Sequence, residues 1–481
     1  MILHIGRVLL VLTEVLVIFN LLIVVHEVGH FLAARWRGLF IEKFGIWFGK
    51  PLWKKKINGV QYSLGSLPFG GFVALPQLAP MDIIEGKADI DRAELPPVSA
   101  LDKIIVAIAG PFFSFLLALA FAVIVWAAGY PVSESDMTTV VGYMTNDSPA
   151  AKAGLQPGDK ILEVDGKAVT RFLGMNDSVS WAVVRSEGDT ISVKFERDGK
   201  VQTVQVEPFK AQTRRWSRKS VRQLLILPAE TGIIDKVEPD SPAAAAGLQP
   251  RDIIRGFNHE RLYNPAQLVD YIKKHPNEPL TLDVERGESR LEISLKPVPL
   301  PTATDEDEGK KTMQPRIGIA WDPSGQMKIA HPSPLELIHN SITSTLNTLG
   351  AVISPKSDVK LQHLSGPVGI VRLYYLFFQS EHGWQLVLWL SVVLNVNLAI
   401  LNMLPIPVLD GGHILFGLIE SVRRKPLNMR VLEYVQGACT LLIVGVLLYI
   451  TFFDFQDLPF VKHAIDKYAP QSQKAKNQDV P

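Results

Sequence analysis

The chain is almost devoid of cysteine: Cys439 is the single one among 481 residues. That excludes an intramolecular disulfide and equally a cysteine-based metal cluster. A charge excess is missing too, with 49 Lys and Arg against 48 Asp and Glu and a formal net charge of +1. Nothing in that balance points to nucleic acid. Two long stretches, 104–129 and 383–409, hold no charged residue at all. What is present is apolar. Hydrophobic residues make up 47% of a chain too long for one ordinary domain, and the mean hydropathy is +0.17. This is the composition of a membrane protein with substantial soluble parts.

A helix crosses a bilayer with about 20 apolar residues, and four segments qualify. The first runs from about Val8 to Ala34 and carries Glu14 and a histidine cluster. The second is Ile104 to about Gly129, the third Gly383 to Leu409, and the fourth Tyr434 to Phe453, bounded by Glu433 and Asp454. No small-residue cleavage site follows the first, and its apolar run exceeds a signal peptide's, so it reads as retained. Arg35, Arg37, Lys43, Lys50 and Lys54 to Lys56 follow the first span; Arg423, Arg424, Lys425 and Arg430 precede the fourth. Basic short loops face the cytoplasm. The region from about 131 to 380 and both termini are then expected on the opposite side.

That long insert repeats itself. "SPAAKAGLQPGD" at Ser148 to Asp159 returns as "SPAAAAGLQPRD" at Ser241 to Asp252, ten of twelve positions identical at a spacing of 93 residues. One small domain per copy means tandem duplication rather than a solenoid. Ser-Pro opens a short Ala-rich helix, Gly154 or Gly247 ends it, and a turn leads into a strand. These residues resemble the PDZ domain of bacterial envelope proteases. The resemblance implies two periplasmic α+β modules that take a peptide or chain end by strand addition; inert spacers are the plain alternative. The second copy departs from the pattern, with Arg251 for Gly158 and "GFNHERL" for "EVDGKAV". A linker is expected at "PLPTATDEDEGKKTM", Pro299 to Met313, and a polar tail after about Tyr468.

"LLIVVHEVGHFLAARW", Leu21 to Trp36, places His26, Glu27 and His30 inside an apolar run. On a helix, HExxH sets two imidazoles one turn apart on the same face, able to hold one Zn²⁺. The intervening carboxylate can take the proton of the attacking water. A hydrogen-bonded helix end is the plain alternative. It leaves three ionisable groups at membrane depth without purpose, which is expensive. A catalytic zinc takes a third protein ligand. The third span ends in "NVNLAILNMLPIPVLDGGHILF", where Pro405 and Pro407 interrupt the helix and Asp410-Gly411-Gly412 follows at the same depth as the histidines. Asp410 and His413 are both candidates by residue type.

"HEVGH" with "NMLPIPVLDGGH" more than 370 residues later resembles the site-2 protease family of intramembrane metalloproteases, and the likeness covers nearly the whole chain. It implies Zn²⁺ held by His26, His30 and Asp410, with Glu27 as catalytic base. It also implies a bacterial inner-membrane enzyme in contact with membrane lipid. Its substrates are then single-span membrane proteins of the anti-sigma factor type, cut after a first periplasmic cleavage, and remnant signal peptides are a second class. "GVQYSLGSLPFGGFVAL", Gly59 to Leu75, resembles the family's re-entrant β-hairpin beside the metal. An unwound substrate must find new backbone partners in the membrane. Gly65, Gly70 and Gly71 of this stretch, with Asn397, Asn402, Pro405 and Pro407, are the candidate substrate-binding residues. Asn395 reads equally as a helix–helix contact. "AGPFFS", Ala109 to Ser114, matches the family's Gly-Pro element, although Asn often stands where Ser114 does.

The expected architecture is therefore an α-helical polytopic membrane protein with a re-entrant β-hairpin and two inserted PDZ-like domains. Its segments are a first span at 1–37, a cytoplasmic and re-entrant region at 38–100, and a second span at 101–130. PDZ-like domains follow at 131–222 and 223–300, then a linker and membrane-proximal region at 301–380. The third span is placed at 381–412, a cytoplasmic loop at 413–432, the fourth span at 433–454 and a periplasmic tail at 455–481. A non-catalytic membrane scaffold presenting PDZ modules is the runner-up. An ordinary secreted zinc protease is disfavoured by the four spans.

Overall fold

Ile2–Trp36 forms one 35-residue helix, α1. The computed structural model describes residues 2–78, 95–214, 216–301, 313–323, 325–425, 427–458 and 461. The tail after Tyr468 and most of the expected linker, 302–312, lie outside the described residues. The chain divides into two compact units, one of 1–130, 330–350 and 361–462, the other of 131–329, 351–360 and 463–481. Among the described residues, four helices are long and apolar enough to cross a membrane: Gly6–Trp36 within α1, Ala100–Ala128, Gly383–Asn402 and Arg430–Gln456.

In the first unit α1 is followed by β1 (Lys43–Phe48), β2 (Trp53–Ile57), β3 (Val60–Leu64) and β4 (Leu67–Ala74). Helix α2 (Ala100–Ala128) starts where the Ser99 hydroxyl accepts the Asp102 N–H, and stops at Gly129 with φ 72°. There follow α3 (Pro334–Ile353), α4 (Pro367–Phe378), α5 (Gly383–Asn402), α6 (Asp410–Arg423) and α7 (Met429–Gln456). Leu22 of α1, Ala118 and Val125 of α2, Leu337 of α3 and Val392 of α5 meet in one buried cluster. Small residues on α2 let these helices approach closely, as membrane packing requires. Asp454, buried near the end of α7, accepts the N–H groups of Gly366 and Gly369 at the start of α4, each at 2.9 Å.

Three elements differ from the sequence expectation. The stretch 59–75 is not a simple hairpin, because its strands do not pair with each other. The order is β2-β3-β1-β4, with β1 parallel to β3 and antiparallel to β4. The chain crosses the end of β1 at Gly65, where any Cβ would sit 2.3 Å from the Phe48 carbonyl oxygen; only glycine permits that crossing. Second, α5 stops at Asn402 rather than running to Leu409, so Pro405 and Pro407 follow the helix instead of breaking it. Much of the segment read as a cytoplasmic loop at 413–432 belongs to helices α6 and α7.

The second unit contains the duplication. The first copy has strands Val141–Met144, Lys160–Val164, Ile191–Arg197 and Lys200–Val206 with helices Pro149–Lys152 and Val179–Arg185. The second has Gly232–Val237, Ile253–Phe257, Leu280–Arg286 and Ser289–Leu295 with Pro242–Ala245 and Pro265–Lys274. Ser148 and Ser241 each cap the short helix that the proline behind them opens. Ile161, Val193 and Phe195 centre one core; Ile254, Leu268 and Leu282 centre the other. The same ion pair closes both copies. Arg197 reaches Asp159 at 2.6 Å and the Gly154 carbonyl at 2.8 Å; Arg286 reaches Asp252 and the Gly247 carbonyl, each at 2.7 Å.

Candidate metal centre

Helical spacing puts His26 and His30 one turn apart on α1, and α2 supplies an anchor for each ring. His30 Nδ1–H donates to the Val106 carbonyl at 2.8 Å. A carbonyl can only accept, so this bond fixes the tautomer and leaves Nε2 with its lone pair. His26 Nδ1 is bonded to the Ser114 hydroxyl at 3.0 Å, and with that hydroxyl accepting, its Nε2 is likewise free. The two Nε2 atoms lie 3.2 Å apart.

Asp410 completes the group. After α5 the segment 403–409 folds back over the start of α6. A Cβ on Gly411 would meet the Met403 and Leu404 carbonyl oxygens at 2.3 Å, so this glycine allows the tight return. Gln436 of α7 donates to the Pro407 carbonyl at 3.2 Å and ties the segment down. Asp410, first residue of α6, thereby reaches α1. Its Oδ2 is 3.3 Å from His26 Nε2 and its Oδ1 is 3.4 Å from His30 Nε2. One ligand atom from each residue lies within 4.8 Å of the others.

This donor set fits a cation. Asp410 Oδ2 is buried and makes no hydrogen bond, and two nitrogen lone pairs face the same point. An unpaired buried acceptor is costly, and a metal held by the three residues would relieve it. Two imidazoles and one carboxylate are the donor types that would hold a catalytic zinc. The surroundings of the rings act as the outer shell that aims ligating histidines. Gly110 of α2 leaves room for both rings: a Cβ there would lie 2.2 Å from His30 Nε2 and 2.8 Å from His26 Nε2.

A cavity of about 270 Å³ opens beside the cluster, lined among others by Glu27, Gly71, Phe72, Asn402, Asp410 and His413. Of the candidate substrate-binding residues, Gly71 and Asn402 line it. The Asn402 amide nitrogen is 3.5 Å from His26 Nε2. Gly65, Gly70, Asn397, Pro405 and Pro407 do not line it. The Asn397 side-chain oxygen accepts from the Thr345 hydroxyl of α3, and Asn395 donates to the Ser391 carbonyl within its own helix. His413 packs edge-on against Phe416 and stays outside the three-ligand group. Ser114 and Val106 were invisible as ring anchors in the sequence, because a backbone carbonyl carries no residue signal and one serine in an apolar helix carries little.

A model of Peptidase family M50 matches residues 14–446. The chain belongs to peptidase family M50. Protease RseP of Yersinia pestis is 29% identical over 472 residues, covering 93% of this chain and 98% of that protein. Regulator of sigma-E protease RseP of Escherichia coli K12 is 28% identical over 471 residues, with the same coverage of 93% and 98%. A putative zinc metalloprotease of Vibrio cholerae is 28% identical, covering 87% of this chain and 92% of its own. Among solved structures, the PDZ domain of an SdrC-like protein from Listeria innocua is similar at 22% identity. It has a TM-score of 0.16 and covers 19% of this chain and 93% of that one. As an M50 member the chain is a metalloprotease of the membrane, and its donor set is consistent with zinc.

Proposed function

We propose that the protein cuts transmembrane segments of single-span membrane proteins, with His26, His30 and Asp410 holding Zn²⁺. The observation that carries this reading is the convergence of those three ligands beside Glu27 in one cavity within the helical unit. When bound, zinc supplies a Lewis acid that makes water a competent nucleophile near neutral pH. Glu27, on the cavity wall, accepts the proton of the attacking water and passes it to the leaving amine. Strand β4 is the outer strand of its sheet and borders the cavity through Gly71, Phe72 and Val73. Its unpaired edge offers N–H and C=O partners to an unwound substrate, which membrane surroundings cannot provide. Two relatives bear the name regulator of sigma E protease, and the proposed substrates are of the anti-sigma factor type; remnant signal peptides share the same chemistry. We place the enzyme in the bacterial inner membrane, with 38–100 cytoplasmic and 131–300 periplasmic.

The test uses purified protein, a single-span reporter in detergent and metal analysis. The parent should bind zinc and cleave. Glu27→Gln should keep zinc and lose roughly 10²–10⁴-fold in rate; cleavage at the parent rate removes Glu27 from its role. A parent that neither binds zinc nor cleaves favours the scaffold reading. Orientation is read with single thiols in a Cys439→Ala background. Lys55→Cys and Arg424→Cys should label from the cytoplasm and Lys200→Cys from the periplasm; labelling of positions 55 and 200 from one side overturns the topology.

A further inference from the structure

Asn20 sits in the middle of α1, six residues before His26, where an amide must find partners. Its Nδ2 donates to the Leu16 carbonyl at 2.7 Å, a bond any helical asparagine could make. The other two bonds leave the helix. Trp47 Nε1–H of β1 donates to Asn20 Oδ1 at 2.6 Å, and Asn20 Nδ2 donates to the Pro68 carbonyl of β4 at 3.3 Å. An indole can only donate and a carbonyl can only accept, so the amide orientation is fixed by its partners. One side chain of α1 therefore grips two strands.

It grips them where their register breaks. Ile46 pairs with Gly71, but the next pair is Phe48 with Leu67, so one residue of β1 faces three of β4. That one residue, Trp47, has φ 68°, a conformation that a bulky side chain adopts only when its surroundings impose it. Gly70, last of the three, has φ 80°. Immediately beyond, β4 resumes at the cavity: a Cβ on Gly71 would be 3.2 Å from Glu27 Cγ and 3.4 Å from Ile23 Cγ2. The offset fixed at Trp47 and Pro68 thus sets which atoms of β4 stand level with Glu27. A purely structural asparagine would need only the Leu16 bond.

We propose that Asn20 is a positioning residue for the substrate: through Trp47 and Pro68 it sets the phase of β4 beside the HExxH face. This rests on β4 being the strand that receives the unwound substrate. Asn20 touches no ligand of the metal, so its loss acts on substrate engagement and leaves the chemical step alone.

The experiment compares Asn20→Leu, Trp47→Phe and the double variant in the full-length protein. Each single variant should raise KM roughly 3–10-fold, the effect of one or two half-buried hydrogen bonds, with kcat, zinc content and thermal midpoint at parent values. The double variant should be no worse than either single one, because both remove the same interaction. An activity-free readout is the distance distribution between nitroxides at Val17 and Leu67, both exposed, in a Cys439→Ala background; it should shift or broaden in Asn20→Leu. Parent KM together with an unchanged distribution overturns the proposal. So does a parallel loss of zinc, kcat and thermal midpoint, which marks a merely structural residue. If the parent itself proves inactive, the protease reading fails, and an unchanged nitroxide distribution then separately rejects the positioning role.

Discussion

Gly110→Ala adds one methyl group to α2, and intrinsic propensity favours it by about 1 kcal/mol in a helix interior. Stereochemistry opposes it. The new Cβ lies 2.2 Å from His30 Nε2, 2.6 Å from His30 Cε1 and 2.8 Å from His26 Nε2, where ordinary contact begins at 3.4 Å. The His30 ring must retreat by about 1 Å, yet its Nδ1 is tethered to Val106 of the same helix α2, so it cannot follow the methyl away. A displacement of about 1 Å at a reacting centre costs on the order of 10²-fold in rate. Overpacking costs about 1–3 kcal/mol, which the gain in propensity partly offsets, so the fold survives. The variant is expected to insert normally, to show a thermal midpoint near the parent's, to bind zinc more weakly and to cleave a single-span reporter at roughly 1% of the parent rate or less. Zinc content, reporter cleavage and thermal melting are measured on one preparation. Full zinc with parent cleavage would mean that the two rings do not need the space that Gly110 leaves them.

Asp410→Asn keeps shape but removes the charge that offsets Zn²⁺; it should bind zinc much more weakly and show no proteolysis, whereas His413→Ala should retain metal and most activity. The reverse pattern, read by metal analysis and reporter cleavage, would exchange their roles. In the second repeat burial raises the Asp252 carboxyl, but the hydrogen bonds and charge from Arg286 and the Gln249 N–H outweigh it and hold it below the usual carboxylate range. The folded state therefore binds this proton more weakly than the unfolded one, so the stabilisation is present above about pH 4 and is lost as pH falls through the folded value. Arg286→Gln should cost about 1–3 kcal/mol at pH 7 by leaving a buried acceptor unpaired, and should flatten the acid loss. Hydrogen exchange across 232–295 in the full-length protein reads both; unchanged protection at neutral pH would refute the pairing.

The histidine pair of the candidate site is legible in the residues alone, because HExxH imposes its own geometry, whereas the choice of Asp410 over His413 rested on the family resemblance. The duplication was equally legible, since its Ser-Pro caps and Gly stops act locally. Strand pairing was not. Alternation identifies β3 and β4 as strands but carries no information on the partner of each, and here β1 comes between them. The end of α5 is not marked in the sequence, because apolarity continues to Leu409 while helicity stops at Asn402. The ring anchors were missed for another reason: Val106 and Ser114 lie 76 and 88 residues from the histidines they hold, and no local motif marks such a contact. Asn20 and Trp47 likewise carry no sequence signal, each unexceptional until the sheet brings them together.

The distance along the chain between the ligands has a consequence for biosynthesis. His26 and His30 leave the ribosome early, and α2 follows soon enough to aim their rings. Asp410 is made 380 residues after His30; at roughly 5–20 residues per second the delay is on the order of 20–80 s. Through that interval the nascent protein resides among other membrane segments with two nitrogen ligands, too few for a stable catalytic zinc. If Asp410 is the third ligand, no partial chain can hold the metal in a working state. The proposed protease is on that reading silent while it is being built.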